Sequence, residues 1–257
     1  MRHLQNFLNQ FDHKYFLLKH LKYPIRVKKT KNFDLIYIKG LHQFSSFEYD
    51  VPGDISSASF FIVLTLLSHN SELIIQNINL NPSRTGIIKI LNRMNAKIKI
   101  LNKKIYKGEV IGDINIKSAK KLKSVNCPQN LNSSAIDEFL LIFLVAAKSK
   151  GVSKFKGLSE LNKKESPRLD IAVSFLRMIG IKVFRKSDSI KIFGNPDLKL
   201  CKKYYIKNFF KDHRIFMLSV ITALTLGGHW TINDKDSIET SFPKFLKISK
   251  KLGAKII

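Results

Sequence analysis

Three runs of almost unbroken apolar residues, each opened by an acid, restrict this chain more than any other feature. They are GDISSASFFIVLTLL at 53–67, AIDEFLLIFLVAAKSKG at 135–151 and DHRIFMLSVITALTLGG at 212–228. Each spans roughly three helical turns or more, which favours helix over strand. A helix apolar on most of its faces has to be buried. A polar turn and a short strand-like run follow each one: SELIIQNI, SKFKGL and GHWTIND. A second pattern interleaves with the first, an amphipathic helix followed by a small or polar turn and a β-branched run. It occurs in YFLLKHLKYPIRV, GIIKILNRMNAKIKI, IAVSFLRMIGIKVF and FPKFLKISKKLGAKII. Anchored on Ile25, Ile98, Val183 and Ile256, these copies lie 73, 85 and 73 residues apart. That is the length of a whole supersecondary module. The unit reads helix–strand–helix–strand, with further strand in KIYKGEVIGDINIKS and SDSIKIFG. Three complete units are expected over residues 54–257, and residues 12–39 read as the second half of another. No buried helix precedes that half-unit. Two readings fit: a chain that lacks its beginning, which is preferred, or a divergent capping unit.

A chain of 257 residues can bury a sizeable core without staples. Cys127 and Cys201 lie far apart without metal-ligand spacing, which fits a reducing compartment better than a disulfide framework. The longest apolar runs, 60–67 and 139–147, fall far short of the roughly 20 residues of a membrane helix. The opening MRHLQNFLNQFDHK has no secretory pattern. A cytoplasmic location without membrane partners is therefore expected. The net charge of +26 admits nucleic acid, a membrane surface or acidic small molecules as partners. The lysines are scattered along a chain that is rich in Lys, Asn and Ile throughout, so compositional bias is the preferred account. A nucleic-acid-binding module would need exposed aromatics among clustered basic residues. Many of the phenylalanines instead sit inside the apolar helices.

The residues that can do chemistry gather at the expected helix starts. Asp54, Asp137, Asp212, Ser83, Ser166 and Ser241 all fit N-caps, each worth about 1 kcal/mol. Several helix N-termini aimed at one hollow would also attract anions. Arg84, Arg168 and Arg214 follow three of these caps, and the planar guanidinium fork matches carboxylate and phosphate. Lys164 and Glu165 add a cation and an acid–base group just ahead of a helix. Of the seven histidines only His213 stands in such a context, and none shows zinc spacing. There is no phosphate-binding glycine loop and no nucleophile triad pattern.

Together these fragments resemble the EPSP synthase family, the 3-phosphoshikimate 1-carboxyvinyltransferases. The resemblance rests on six motifs in order: VPGDISSASFF at 51–61, NPSRTG at 81–86, AIDEFLLIFLVAA at 135–147, GLSELNKKESPRL at 157–169, DHRIFM at 212–217 and TSFPKF at 240–245. It runs from about residue 12 to the C-terminus. It implies an α/β fold of repeated helix–strand units, one lobe of the enolpyruvyl transferase (inside-out α/β barrel) architecture. Residues 51–257 would be that lobe, and residues 1–50 the remnant of the other. It also implies a reaction without metal or organic cofactor, in which the 5-hydroxyl of shikimate 3-phosphate displaces phosphate from phosphoenolpyruvate. Carried over by motif, Asp137 would contact the shikimate hydroxyls and accept a proton, and Lys164 would contact the substrates. Glu165 would be the acid–base group, Arg168 and Arg214 would clamp phosphoenolpyruvate, and His213 would lie beside it. Arg84 and Asp54 would shape the lobe.

The chain departs from the family pattern in several places. The usual KESDR reads KESPR, so Pro167 replaces an acid, with the expected consequences that Pro167 opens a helix behind a Ser166 cap and that Arg168 is held less firmly. Asn162 and Lys163 replace the usual Arg and Val, Thr240 stands where some members carry lysine, and the usual DHTE reads DHKY at 12–15. The family site lies between two lobes, so negligible activity is expected of this chain alone. The alternative is a non-catalytic remnant, or a half-enzyme whose partner is a separately encoded N-terminal lobe. Residues 1–50 would then expose apolar helix surface.

Overall fold

A computed structural model of the chain describes residues 25–30, 33–38, 48–207 and 209–256. The helix expected in YFLLKHL and the DHKY segment lie outside the described residues. The strand that follows, β1 (Ile25–Lys29), pairs antiparallel with β2 (Asp34–Ile38) as a hairpin.

The three apolar runs form helices α1 (Ile55–Leu67), α3 (Phe139–Ala147) and α5 (His213–Leu226). They pack against one another pairwise, with every residue of α3 buried. Phe139, Phe143 and Phe155 pack tilted or edge-on around α3, and Phe60 and Phe61 of α1 meet Phe245. Each aromatic side chain removes about 150–250 Å² from water, so this helical centre is the principal hydrophobic core. The amphipathic helices α2 (Gly86–Arg93), α4 (Arg168–Met178) and α6 (Phe245–Lys251) each bury one side of themselves.

Sheets cover this centre. Strands β3 (Glu72–Asn79), β4 (Lys97–Tyr106) and β5 (Glu109–Lys117) form a sheet in the order β3-β5-β4. Strands β6 (Gly151–Phe155), β7 (Val183–Lys186) and β8 (Ser189–Gly194) repeat it as β6-β8-β7. All pairs in these two sheets are antiparallel. The edge strand β4 carries Lys97, Lys99, Lys103 and Lys104, charges that discourage pairing with another chain. The sequence patterns did not mark β9 (Leu200–Ile206), which pairs parallel with β10 (Gly227–Ile232). Its counterparts in the other units are short parallel bridges, Gly53 to Ile78 and Asn126 to Lys154. The working unit is therefore a parallel strand, a buried helix, a second strand parallel to the first, a surface helix and a hairpin. α5 runs straight into β10 because Gly227 and Gly228 both take positive φ, which only glycine adopts freely.

The expected strand at the end of the third unit does not form. Residues 254–256 are irregular. In the first two units the strand after the surface helix pairs with β5 or β8. Among the described residues no strand lies beside residues 254–256 to complete their backbone hydrogen bonds.

Four of the six expected caps were misplaced. Asp54 and Asp212 do cap α1 and α5, accepting from the N–H groups of Ser57 and Arg214. Asp137, Ser83, Ser166 and Ser241 do not cap, because their side chains lie outside helices that begin later and their polar atoms are engaged elsewhere or face a cleft. Ser83 donates to Asn81 Oδ1 within the turn ahead of α2. Ser166 donates to Asp212, so Asn162 Oδ1 takes over the start of α4, accepting from Leu169 N at 2.9 Å and Asp170 N at 3.3 Å. Pro167 occupies the cap position itself, one residue earlier than expected.

The end of β8 sets a strict steric condition. A Cβ on Gly194 would fall on the backbone carbonyl oxygens of Ser149 and Ala146, neither of which can swing aside. Gly194→Ala is expected to cost about 1–3 kcal/mol, the usual range for overpacking. Urea unfolding checks this: the midpoint should fall with the slope unchanged.

Candidate active site

The starts of the three buried helices meet, and four side chains from three segments close on Asp137. This residue lies two positions ahead of α3, and its carboxylate faces Lys164 Nζ at 3.2 Å, Arg84 Nη1 at 3.6 Å and Arg168 Nη1 at 3.6 Å. Its backbone carbonyl accepts a hydrogen bond from Arg214 Nη1 at 2.9 Å. Burial alone would raise the Asp137 pKa, but Arg214, Lys164 and Arg84 outweigh it and hold the carboxyl below its ordinary value.

Arg168 opens α4 and is 1% exposed, the largest fully buried side chain. Its Nε and Nη2 make a two-pronged contact with Asp212, at 2.8 and 3.2 Å, and Nη2 also donates to Glu165 at 2.5 Å. The expectation that Pro167 leaves Arg168 loose does not hold: Asp212, at the start of α5, and Glu165 both bond its guanidinium. Burial raises the Asp212 pKa, yet the hydrogen bonds and charge of Arg168 bring it below its ordinary value. One guanidinium nitrogen, Nη1, is buried without a hydrogen-bond acceptor.

Glu165 is more than half exposed and touches the cluster through Arg168. His213 opens α5, where burial, then the charge of Arg214, hold its imidazole below the ordinary value. With Arg214, Asp54, Ser56 and Ser241 it lines a cleft of about 250 Å³. Thr240 is exposed next to this cleft. All five residues named for chemistry or substrate contact from the sequence, with His213, therefore lie in one neighbourhood.

Two members escaped sequence reasoning. Arg84, assigned to shaping the lobe, reaches Asp137 itself. Glu138 had no role at all, yet it is 3% exposed and accepts a 2.5 Å hydrogen bond from Ser56. The usable signal was its setting: an ionisable side chain at the mouth of an all-apolar helix needs a partner. Among the described residues no group of His, Cys, Asp and Glu is placed to hold a metal ion. No described helix is long and apolar enough to cross a membrane.

The family model for EPSP synthase (3-phosphoshikimate 1-carboxyvinyltransferase) matches residues 8–248. The chain belongs to the EPSP synthase family. A protein named 3-phosphoshikimate 1-carboxyvinyltransferase from Petrotoga mobilis is 36% identical over 245 residues, which cover 94% of this chain and 54% of the relative. One of the same name from Zymomonas mobilis is 35% identical, covering 95% and 54%. Among solved structures, EPSP synthase from Acinetobacter baumannii superimposes with a TM-score of 0.81 at 31% identity, over 93% of this chain and 54% of that one. The enolpyruvyl transferase NikO from Streptomyces tendae follows with a TM-score of 0.67 at 14% identity, over 90% and 50%, a likeness of fold alone. The architecture is the α/β enolpyruvyl transferase fold, and the chain spans about half the length of the EPSP synthases it matches.

Proposed function

We propose that this chain carries one lobe's share of an EPSP synthase site, residues 51–257 forming that lobe. The reaction is transfer of the enolpyruvyl group of phosphoenolpyruvate to the 5-hydroxyl of shikimate 3-phosphate, on the route to chorismate and the aromatic amino acids. The observation that carries this reading is the buried Nη1 of Arg168, which makes no hydrogen bond and faces the Asp137 carboxylate only at 3.6 Å, set in a ring with Arg84, Lys164 and Arg214. A buried guanidinium N–H without an acceptor is costly, and an anionic oxygen of a ligand would satisfy it. Arg168 and Arg214 would clamp phosphoenolpyruvate, with His213 at the edge of the same hollow. Lys164 would reach both substrates.

The chemistry balances without a cofactor. The hydroxyl oxygen bonds to C2 of phosphoenolpyruvate while C3 takes a proton, and a carboxylate takes the hydroxyl proton. The adduct then loses phosphate from C2 and a proton from C3. Asp137 would accept the hydroxyl proton and Glu165 would serve C3. A depressed pKa makes Asp137 a weak base in the free chain. Two polyanions entering the site would offset the cations that depress it, raising its basicity when it is needed.

The rest of the site would come from the half of the family's length that this chain does not match. The test is turnover of both substrates by the purified chain, alone and mixed with the half of the Petrotoga mobilis relative that this chain does not match. Negligible turnover alone and partial restoration in the mixture are expected. Turnover alone near that of a full-length relative would overturn the dependence on a second lobe. Failure of the chain to bind phosphoenolpyruvate in either setting would overturn the reading itself.

A further inference from the structure

Behind Asp137 stands a second carboxylate that the reaction does not use. Glu138 lies where the starts of α1, α3 and α5 meet. Its Oε1 accepts from the Ser56 hydroxyl at 2.5 Å and lies 3.9 Å from Arg214 Nη1. The Ser56 oxygen in turn accepts from Arg84 Nη2 at 2.8 Å. Arg84 therefore spans the two acids, with Nη1 toward Asp137 and Nη2 toward Ser56 and Glu138. Arg214 does likewise, with Nη1 donating to the Asp137 carbonyl beside Glu138.

We propose that Glu138 is a positioning residue for the site described above: it holds Arg214 directly, and Arg84 through Ser56, so that both guanidinium groups stay turned toward the anion-binding hollow. The proposal deepens the enolpyruvyl-transfer reading and rests on it for its purpose, though not for its geometry.

Three features support it. A buried acid is expensive to keep, and an apolar residue packed in its place is often neutral or stabilising for a fold. A carboxylate among apolar neighbours thus points to a service rendered to its partners. Next, Ser56, Glu138 and Arg214 belong to three different repeat units, so the contact fixes the units' relative placement at the point where anions would bind. Last, an arginine is a long side chain with about 2 kcal/mol of rotamer entropy, and a second anchor beside Asp137 narrows the orientations its guanidinium can take in an empty anion site.

Two variants separate the arms. Glu138→Gln keeps the shape and an acceptor for Ser56 but removes the charge facing both arginines. Ser56→Ala keeps the Glu138–Arg214 contact and removes the hydroxyl that joins Glu138 to Arg84. The first readout is arginine side-chain NMR on the whole chain without ligand, which reports restricted guanidinium rotation. Glu138→Gln should release Arg214 while Ser56, still donating to the amide oxygen, keeps Arg84, and Ser56→Ala should release Arg84 alone. A purely structural role would shift thermal stability without this split. The second readout is phosphoenolpyruvate binding with shikimate 3-phosphate present, expected to weaken about tenfold in Glu138→Gln. An unchanged Arg214 spectrum in Glu138→Gln would overturn the proposal, as would an unchanged Arg84 spectrum, or loss of both arms, in Ser56→Ala. If Glu138→Gln fails to fold, Ser56→Ala still decides through Arg84. If the unaltered chain binds no phosphoenolpyruvate, the enolpyruvyl reading fails while the guanidinium spectra still judge Glu138.

Discussion

Asp212→Ala is expected to destabilise the chain by about 3–5 kcal/mol, the cost of stripping one partner from a buried ion pair. Asp212 and Arg168 are each 1% exposed, and among the described residues Arg168 is the one cation whose side chain pairs with Asp212. The alanine also removes the cap of α5 and the acceptor for Ser166. Against a typical total of about 5–15 kcal/mol, the loss is a large fraction, and the melting temperature should drop by about 10 °C. Arg168→Met provides the contrast. It leaves Asp212 buried without its cation, but a carboxyl can take up a proton, whereas a guanidinium does not release one. In Arg168→Met the Asp212 pKa should rise above its unfolded value, so the defect is relieved as pH falls. In Asp212→Ala the defect persists at low pH. Urea unfolding of both variants at pH 7 and pH 5 measures the difference. Equal pH dependence would mean that the pair does not act as an ionic contact.

The parts legible in the sequence were those that repeat. Buried helices announce themselves by composition, and α1, α3 and α5 stand where the apolar runs are. β9 was missed because Cys201, Lys202, Lys203 and Tyr205 are exposed and only Leu200, Tyr204 and Ile206 are buried, which breaks the period-2 signal. Caps failed where a polar side chain had a better use in three dimensions. Ser166 and Asp137 both look like helix openers locally, but their partners, Asp212 and Lys164, come from segments 46 and 27 residues away in the sequence. Motif resemblance named most of the residues around Asp137. It passed over Glu138, because an acid that works through other side chains leaves no mark of its own in a linear motif.

Acid should unfold this chain early and steeply, and an anion that fits the site should delay it more than salt does. Asp137 and Asp212 both have folded pKa values held below ordinary. Each contributes stability that is fully present above the unfolded value of about 3.9 and is lost as pH falls through the lower folded value. Glu138 works in the opposite sense. Burial raises its pKa, so it opposes folding as pH rises above about 4.3 and gives a little stability back on acidification. The two aspartates outweigh it because their protonation leaves Arg84, Lys164, Arg168 and Arg214 facing one another without the two carboxylates at their centre. The net charge, already +26 at pH 7, climbs further as the 19 acids titrate, adding general self-repulsion. Circular dichroism from pH 7 to pH 2 should show the loss of helix centred near or below pH 4. Chloride screens the general repulsion. Phosphoenolpyruvate would in addition bind only the folded state, a gain of about 2.7 kcal/mol at a hundred times its Kd. At matched ionic strength it should move the acid midpoint lower than chloride does, and Arg214→Ala should abolish that excess. Equal midpoints in the two salts would show that the cations around Asp137 do not form an anion site.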